Sequence, residues 1–366
     1  MPIALILSLI VFQALLIFVH LALYEVLAAA FGIGSPALAT IFVLLAVSFI
    51  AASFLSRWFA GRLAKWFYTA SAYWFGLVHF LFAGAVIFFF TAKFLYGADI
   101  YVAPWIIALP ALGAFFLIHL YGTWNSWRAE VTRVRVTLPN LPAAWRGKKI
   151  VFVSDIHLGP VRAERFAAKV VRKIQALAPE AIFIGGDVYD GGKWDAATIA
   201  APLKGLHAPQ GVYYVTGNHE YYVSDLPAAL KVLRDAGIRI LDNEKIDLGG
   251  LQLLGVDYQT THKPADAERI LAGMGIDRNK PSILLKHEPD HLDIPEHAGV
   301  SLVLSGHTHR GQIFPLNYFT WQIYKGFDYG LKSLRAMQVY TSSGVGTWGP
   351  PLRLGTKSEI VLVELS

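Results

Sequence analysis

The stretch IVFVSDIH (150–157) decides the fold, because an apolar, β-branched run ends directly in Asp155 and His157. Such a run reads as a buried strand. A strand that delivers polar chemistry at its end belongs to a sheet whose edge carries a site. Working outward, the pattern recurs four times. IFIGGDVYD (182–190) leads to Asp187 and Asp190, and YYVTGNHE (213–220) leads to Asn218, His219 and Glu220. ILLKHEPD (283–290) leads to His287, and LVLSGHTH (302–309) leads to His307 and His309. Carboxylate, amide and imidazole donors in one place suit Mn, Fe or Zn, and two adjacent cations form a clamp for phosphate esters.

Between these strands lie helical spacings. Phe166, Val170, Val171, Ile174 and Leu177 mark a helix over 163–178, and residues 226–236 repeat the pattern before a short strand over 238–241. VTRVRVTL (131–138) alternates as an opening strand, LGGLQLLGVD (248–257) reads as a hairpin strand, and 358–365 closes the chain as a strand. Strands alternating with helices predict an α/β domain. The expected organisation is a four-helix segment over 1–121, a linker with the opening strand over 122–148, and a catalytic domain over 149–366.

The first third is different. Apolar stretches over 3–30, 37–55, 66–92 and 102–121 each approach or exceed the roughly 20 residues that cross a bilayer as a helix. No basic leader precedes the first, so a cleaved signal peptide is not expected. Arg57, Arg62 and Lys65 follow the second stretch, whereas Lys93 is offset by Asp99 after the third. The positive-inside rule then puts the N-terminus and the catalytic domain in the cytoplasm, in a multi-pass inner-membrane protein. Trp58, Trp66, Tyr68, Trp105, Tyr121, Trp124 and Trp127 lie near the ends of these stretches, as interfacial aromatics do. His20 and His79 are expected to bond to neighbouring helices. There is no cysteine, which excludes thiol nucleophiles, disulfides and zinc–thiolate sites. The net charge of +6 points to an anionic partner. Its local cluster at Arg128–Lys149 reads as a juxtamembrane signal, and no motif calls for nucleic acid.

The series D-x-H, G-D-x-x-D, G-N-H-E, H-x-P and G-H-x-H resembles the signature of the calcineurin-like metallophosphoesterases over nearly all of 149–346. SSGVGTWGPPLRLG (342–355) is similar to a late segment of their membrane-associated bacterial members. The resemblance implies a four-layer αββα domain and two divalent cations, Mn, Fe or Zn. Asp155, His157, Asp187 and His309 would hold one cation; Asp187, as the bridge, would hold the other with Asn218, His287 and His307. It implies attack by a metal-bridging hydroxide, with His219 contacting a phosphate oxygen or protonating the leaving group. Glu220 is expected to orient that imidazole, and Asp190 to support the metal shell.

Three features stay open at this point. Gly344 and Gly346 either line a phosphate site or turn the chain. Arg310, where many relatives have glycine, either clamps a second phosphate or sits solvated. The segment 313–338 mixes Phe314, Tyr318, Phe319, Trp321, Ile323, Tyr324 and Phe327 with Lys325, Lys332 and Arg335. It either dips into lipid headgroups or covers the core. The function expected is hydrolysis of a phosphoester or pyrophosphate bond. The substrate expected is amphipathic and lipid-linked, such as a UDP-diacylglucosamine-like molecule or a phospholipid headgroup. The alternatives are a broad phosphodiesterase on soluble or cyclic nucleotides, anchored by its helices, and a non-enzymatic membrane sensor for a phosphorylated ligand. Oligomeric state leaves no mark in the sequence.

Overall fold

Long apolar runs with few charged residues, Glu25 in the first and Arg62, Lys65 and Lys93 near the ends of the third, fold as four helices: α1 (Ile3–Phe31), α2 (Pro36–Leu55), α3 (Arg62–Gly97) and α4 (Pro104–Ser126). The computed structural model describes residues 3–366, with side chains from Ile6, so the first two residues of the 1–121 segment lie outside the described residues. Each helix is long and apolar enough to cross a membrane. Ser35 caps α2 by accepting the Leu38 N–H at 3.2 Å, and Pro36 supplies a first helical residue that needs no donor. Only a narrow stripe is buried among the four, including Leu23, Phe42, Val78 and Ala108. Phe18, Leu44, Phe90 and Leu117 point outward with 60, 61, 65 and 65% exposure, which suits lipid and not water as the solvent.

Inside this unit His20 joins two helices, accepting from Trp74 Nε1 at 2.8 Å. His79 instead bonds to Phe75 O, one turn back on its own helix, at 2.6 Å. Two aromatics expected at an interface are packed away: Tyr68 is buried, and Trp127 stacks on Arg162 at 4.5 Å.

From Asn125 onward, with the segment Gly349–Leu352 excepted, the chain forms a second compact unit. Its strands among the described residues are β1 (Glu130–Val136), β2 (Lys149–Val153), β3 (Ala181–Ile184), β4 (Val212–Tyr214), β5 (Arg239–Ile240), β6 (Glu244–Leu248), β7 (Leu251–Gly255), β8 (Ser282–Leu285), β9 (Leu302–Ser305), β10 (Gly330–Leu334), β11 (Met337–Thr341) and β12 (Glu359–Leu365). The helices are α5 (Glu164–Gln175), α6 (Ala196–Ala200), α7 (Leu226–Asp235), α8 (Tyr258–Thr261), α9 (Pro264–Gly273), α10 (Asp293–Ala298) and α11 (Leu316–Ile323).

Two mixed six-stranded sheets result, in the orders β1-β12-β2-β3-β4-β5 and β10-β11-β9-β8-β7-β6. Successive strand residues face opposite sides, and this alternation builds the layers. Ile150, Phe152, Ala181 and Phe183 meet Leu253, Ile283, Leu285 and Leu302 between the sheets. Val151, Val153, Ile182 and Ile184 face Phe166, Val170 and Ile174 of α5. Leu254, Leu284 and Val303 face Ala267 and Leu271 of α9 and Ile294 of α10. The outcome is a helix–sheet–sheet–helix stack in four layers. Strands buried on both faces explain why the motif-bearing segments are continuous apolar runs without polar alternation.

In the first sheet β2, β3 and β4 run parallel, and in the second β7, β8 and β9 do. Their C-terminal ends therefore deliver side chains along one edge of each sheet.

Candidate metal centre

The loops after β2, β3, β4, β8 and β9 carry the residues singled out from the sequence and bring them into one cluster. Three turns in it are left-handed at residues with side chains: Asp155 and His157 (φ 55 and 51), Asp187 (φ 52), and His307 and His309 (φ 69 and 48). Non-glycine residues adopt this backbone at a cost, and they gather where function requires a particular aim. Two glycines press on Asp155. A Cβ at Gly306 would collide with Asp155 Oδ2, and one at Gly344 would lie 2.7 Å from Asp155 Cβ. Gly344 thus serves close packing beneath the cluster.

Asp187 is the centre of the arrangement. Its Oδ2 lies 3.7 Å from His157 Nε2 and 3.3 Å from His287 Nε2, while Oδ1 accepts the His219 N–H at 2.8 Å. One oxygen therefore faces both halves, and the other is held by backbone. On one side His157 Nε2 and His309 Nε2 approach to 3.0 Å, with Asp155 Oδ1 3.9 and 3.5 Å away from them. On the other side His307 Nδ1 lies 2.9 Å from Asn218 Oδ1 and 3.2 Å from His287 Nε2.

These separations test whether the residues fit cations. Ligands at about 2.1 Å from a cation sit about 3.0 Å apart in an octahedron and about 3.4 Å in a tetrahedron. Most of the separations, 2.9–3.5 Å, fall near these values, while His157 Nε2 stands wider from Asp155 and Asp187, at 3.9 and 3.7 Å. Asp155, His157 and His309 form one group and Asp187, His287 and His307 another. Outer partners fix the rings. His287 Nδ1 donates to Gly185 O at 2.7 Å, and His157 Nδ1 faces Asp190 Oδ1 at 3.2 Å, so each Nε2 turns its lone pair inward.

Electrostatics agree with ligand duty. Burial alone would raise the Asp187 carboxyl, but His287 and His219 beside it hold it well below the usual range. Burial, His157 and the Arg353 guanidinium hold the His309 imidazole well below its ordinary value, hence neutral. Burial opposes protonation of His287, yet Asp187 outweighs it and lifts that ring to about 10.

Other predicted residues behave differently. Glu220 does not touch the His219 ring. Its carboxylate accepts the backbone N–H groups of Asp187, Tyr189 and Gly217 at 2.9, 3.1 and 2.7 Å, so it ties the Asp187 and Asn218 loops together. Burial and Asp187 raise it to about 6. The His219 ring is held instead by Asp190, whose carbonyl and carboxylate oxygens lie 3.3 and 3.6 Å from Nδ1, so the ring is oriented from its Nδ1 side. Arg310 stacks on the Tyr329 ring at 4.4 Å.

Sequence reasoning missed two contributors. Arg353 is fully buried and donates to the carbonyls of Ser343, Gly346 and His309 while facing His309 Nδ1 at 3.1 Å. Glu288 lies 3.6 Å from His307 Nε2. The signal for Glu288 was its place beside His287; Arg353 had none beyond its charge in an apolar tail.

The profile of the calcineurin-like phosphoesterases matches residues 148–311. A metallophosphoesterase of Campylobacter jejuni is 37% identical over 240 residues, 64% of this chain and 63% of that protein. One from Aquifex aeolicus is 33% identical over 254 residues, 68% of this chain and 96% of the relative. A bovine transmembrane protein with a metallophosphoesterase domain is 35% identical over 254 residues, 64% of this chain and 56% of its own length. The alignments to the Campylobacter and bovine proteins thus span under two thirds of those relatives.

Proposed function

The chain belongs to the calcineurin-like metallophosphoesterase family, and we propose that it hydrolyses a phosphoester or pyrophosphate bond of a lipid-linked substrate at a centre of two divalent cations. The observation that carries the chemistry is the shared Asp187 oxygen, flanked by imidazole nitrogens of both groups at 3.7 and 3.3 Å. In this reading Asp155, His157, Asp187 and His309 hold one cation; Asp187, Asn218, His287 and His307 hold the other. Two such cations supply Lewis acidity toward phosphoryl oxygen and water activated near neutral pH.

The chain's own groups do the rest. Asp190 and Gly185 O fix ring orientation, Glu220 fixes loop spacing, and His219 presents Nε2 to a phosphoryl oxygen or leaving group. An amphipathic substrate is favoured by the four apolar helices in the same chain, which hold the domain near lipid and raise its effective concentration there. The charges at Arg57, Arg62 and Lys65 favour a cytoplasmic domain in an inner membrane. Protease protection of the C-terminus in oriented vesicles tests that sidedness.

The direct test is Mn-dependent hydrolysis of UDP-2,3-diacylglucosamine beside a chromogenic phosphodiester, in detergent, with Asp187→Ala as the blank. Selective turnover of the lipid supports the reading. Turnover of the generic diester alone favours a broad phosphodiesterase.

A further inference from the structure

Helix α11 breaks the usual rule for a helix in a water-facing domain. None of its residues is buried, and Leu316, Tyr318, Phe319, Trp321 and Ile323 are 48, 57, 55, 52 and 68% exposed, with Phe314 just before it at 61%. A contiguous apolar patch of this kind marks a contact surface. Lys325 and Lys332, both exposed, lie close after it in sequence. Apolar rings with flanking lysines match an anionic lipid surface, where rings enter the acyl boundary and ammonium groups meet headgroups. The same chain carries four apolar helices, so a bilayer is the surface at hand.

The helix is wired to the metal centre. Tyr324 directly follows it and donates its hydroxyl to Glu288 Oε1 at 2.9 Å. That same oxygen lies 3.6 Å from Nε2 of His307, the nitrogen turned away from Asn218 and His287. The Tyr324 ring also stands edge-on to His307, 6.3 Å between centroids. A second tie runs from the loop outward. Thr308 Oγ1 donates to Asp328 O at 2.7 Å, and Thr320 Oγ1 within α11 donates to Asp328 Oδ2 at 3.3 Å. A carboxylate behind a ligating imidazole fixes the ring and its basicity, and losing such a partner costs roughly 10–100-fold in metal affinity.

We propose that α11 seats in a lipid bilayer surface, and that Tyr324 and Glu288 act as positioning residues that transmit this docking to His307. The proposal rests on the membrane-substrate reading above and adds how contact with lipid tunes one half of the centre. It predicts that the cation held beside His307 binds more tightly in a bilayer than in detergent.

The test exploits the absence of cysteine: Phe319→Cys in the full-length chain takes a single environment-sensitive fluorophore. The chain is placed in nanodiscs of phosphatidylcholine and phosphatidylglycerol, with and without brominated acyl chains. Mn2+ binding is followed by electron paramagnetic resonance for the unlabelled wild type, Tyr324→Phe, Glu288→Gln and Glu288→Asp. Expected are quenching of the label by brominated lipid, and tighter binding of one Mn2+ in nanodiscs than in detergent. Tyr324→Phe should abolish that difference; Glu288→Gln should weaken the same Mn2+ by about 10–100-fold, with part restored by Glu288→Asp. An unquenched label overturns docking. A quenched label with Mn2+ affinities equal in bilayer and detergent, or unchanged by Tyr324→Phe, overturns the coupling. If both hold but the lipid substrate is not turned over, only the substrate reading falls.

Discussion

The two halves of the metal centre are built to different standards. The half with Asp155, His157 and His309 is sealed, its side chains at most 3% exposed, and backed by Asp190 and the buried Arg353. The half with Asn218, His287 and His307 opens at its rim, where His307 is 24% and Glu288 16% exposed, and Glu288 is in turn held by Tyr324, just after the exposed helix α11. A sealed half can be pre-organised once, by folding. An open half remains adjustable after folding, and it is the side from which substrate or a surface can be sensed. Every prediction that follows either treats the halves alike or separates them.

The largest effect joins them. Asp187→Ala removes the one oxygen that faces both halves, and both cations and all turnover should be lost together. Metal content measured by emission spectrometry should fall in step with activity to the blank. A variant that lost metal yet kept full biological activity would revive the sensor reading.

Next comes His219, which belongs to neither half. Its ring is held by Asp190, and its backbone N–H is bonded to Asp187. His219→Asn should lower kcat by about 10²–10⁴-fold while metal content stays at the wild-type value. Loss of metal in this variant would make it a ligand and dissolve the distinction drawn here.

Arg353 sharpens the comparison by touching the sealed half alone. Arg353→Met leaves several buried carbonyls without their donor, at a cost of about 3 kcal/mol, and loosens His309. Metal titration should show one site weakened by roughly 10–100-fold, distinct from the site weakened by Glu288→Gln. If both variants weaken the same site, the two halves are not independent.

What the sequence made legible follows from the same geometry. Asp155, Asp187, Asn218, His287 and His307 each stand within a few residues of the end of an apolar strand, so the local pattern contains both the strand and its payload. Glu220 was misplaced because its partners are backbone N–H groups of three residues in two loops, which no side-chain pattern announces. Arg353 and Tyr324 reach the cluster from 44 and 36 residues beyond their partners His309 and Glu288. Such ties exist only once the segments after β9 have folded back over the loops that follow β8 and β9. The parallel pairing of β1 with β12 was hidden for the same reason, since its residues are 229 apart.

The last effect is one of pH, graded and not all-or-none, and it is read most directly at His287 of the open half. In the metal-free chain Asp187 lifts His287 to about 10, above the usual 6.5 of an unfolded chain. Protonation of this ring therefore favours the folded metal-free state, an advantage complete below about 6.5 and lost as pH rises through about 10. Cation binding needs the same nitrogen and must expel the proton, so affinity on this side should climb about tenfold per pH unit across that window and level off above it. In the sealed half His309, held neutral by burial, His157 and Arg353, adds no such proton, whereas burial would lower His157 but Asp190, Asp187 and Asp155 raise it, so that half shares the direction of the dependence through one ring. Mn2+ titrations of the wild type at pH 7 and 9 should then differ by about 100-fold for the His287 side. Glu220 shapes the acid end. Burial and Asp187 raise it to about 6, so the metal-free protein loses stability as pH rises from the ordinary carboxylate range through that value. Added cations offset that charge, and the gain in melting temperature on adding Mn2+ should be greater at pH 8 than at pH 5.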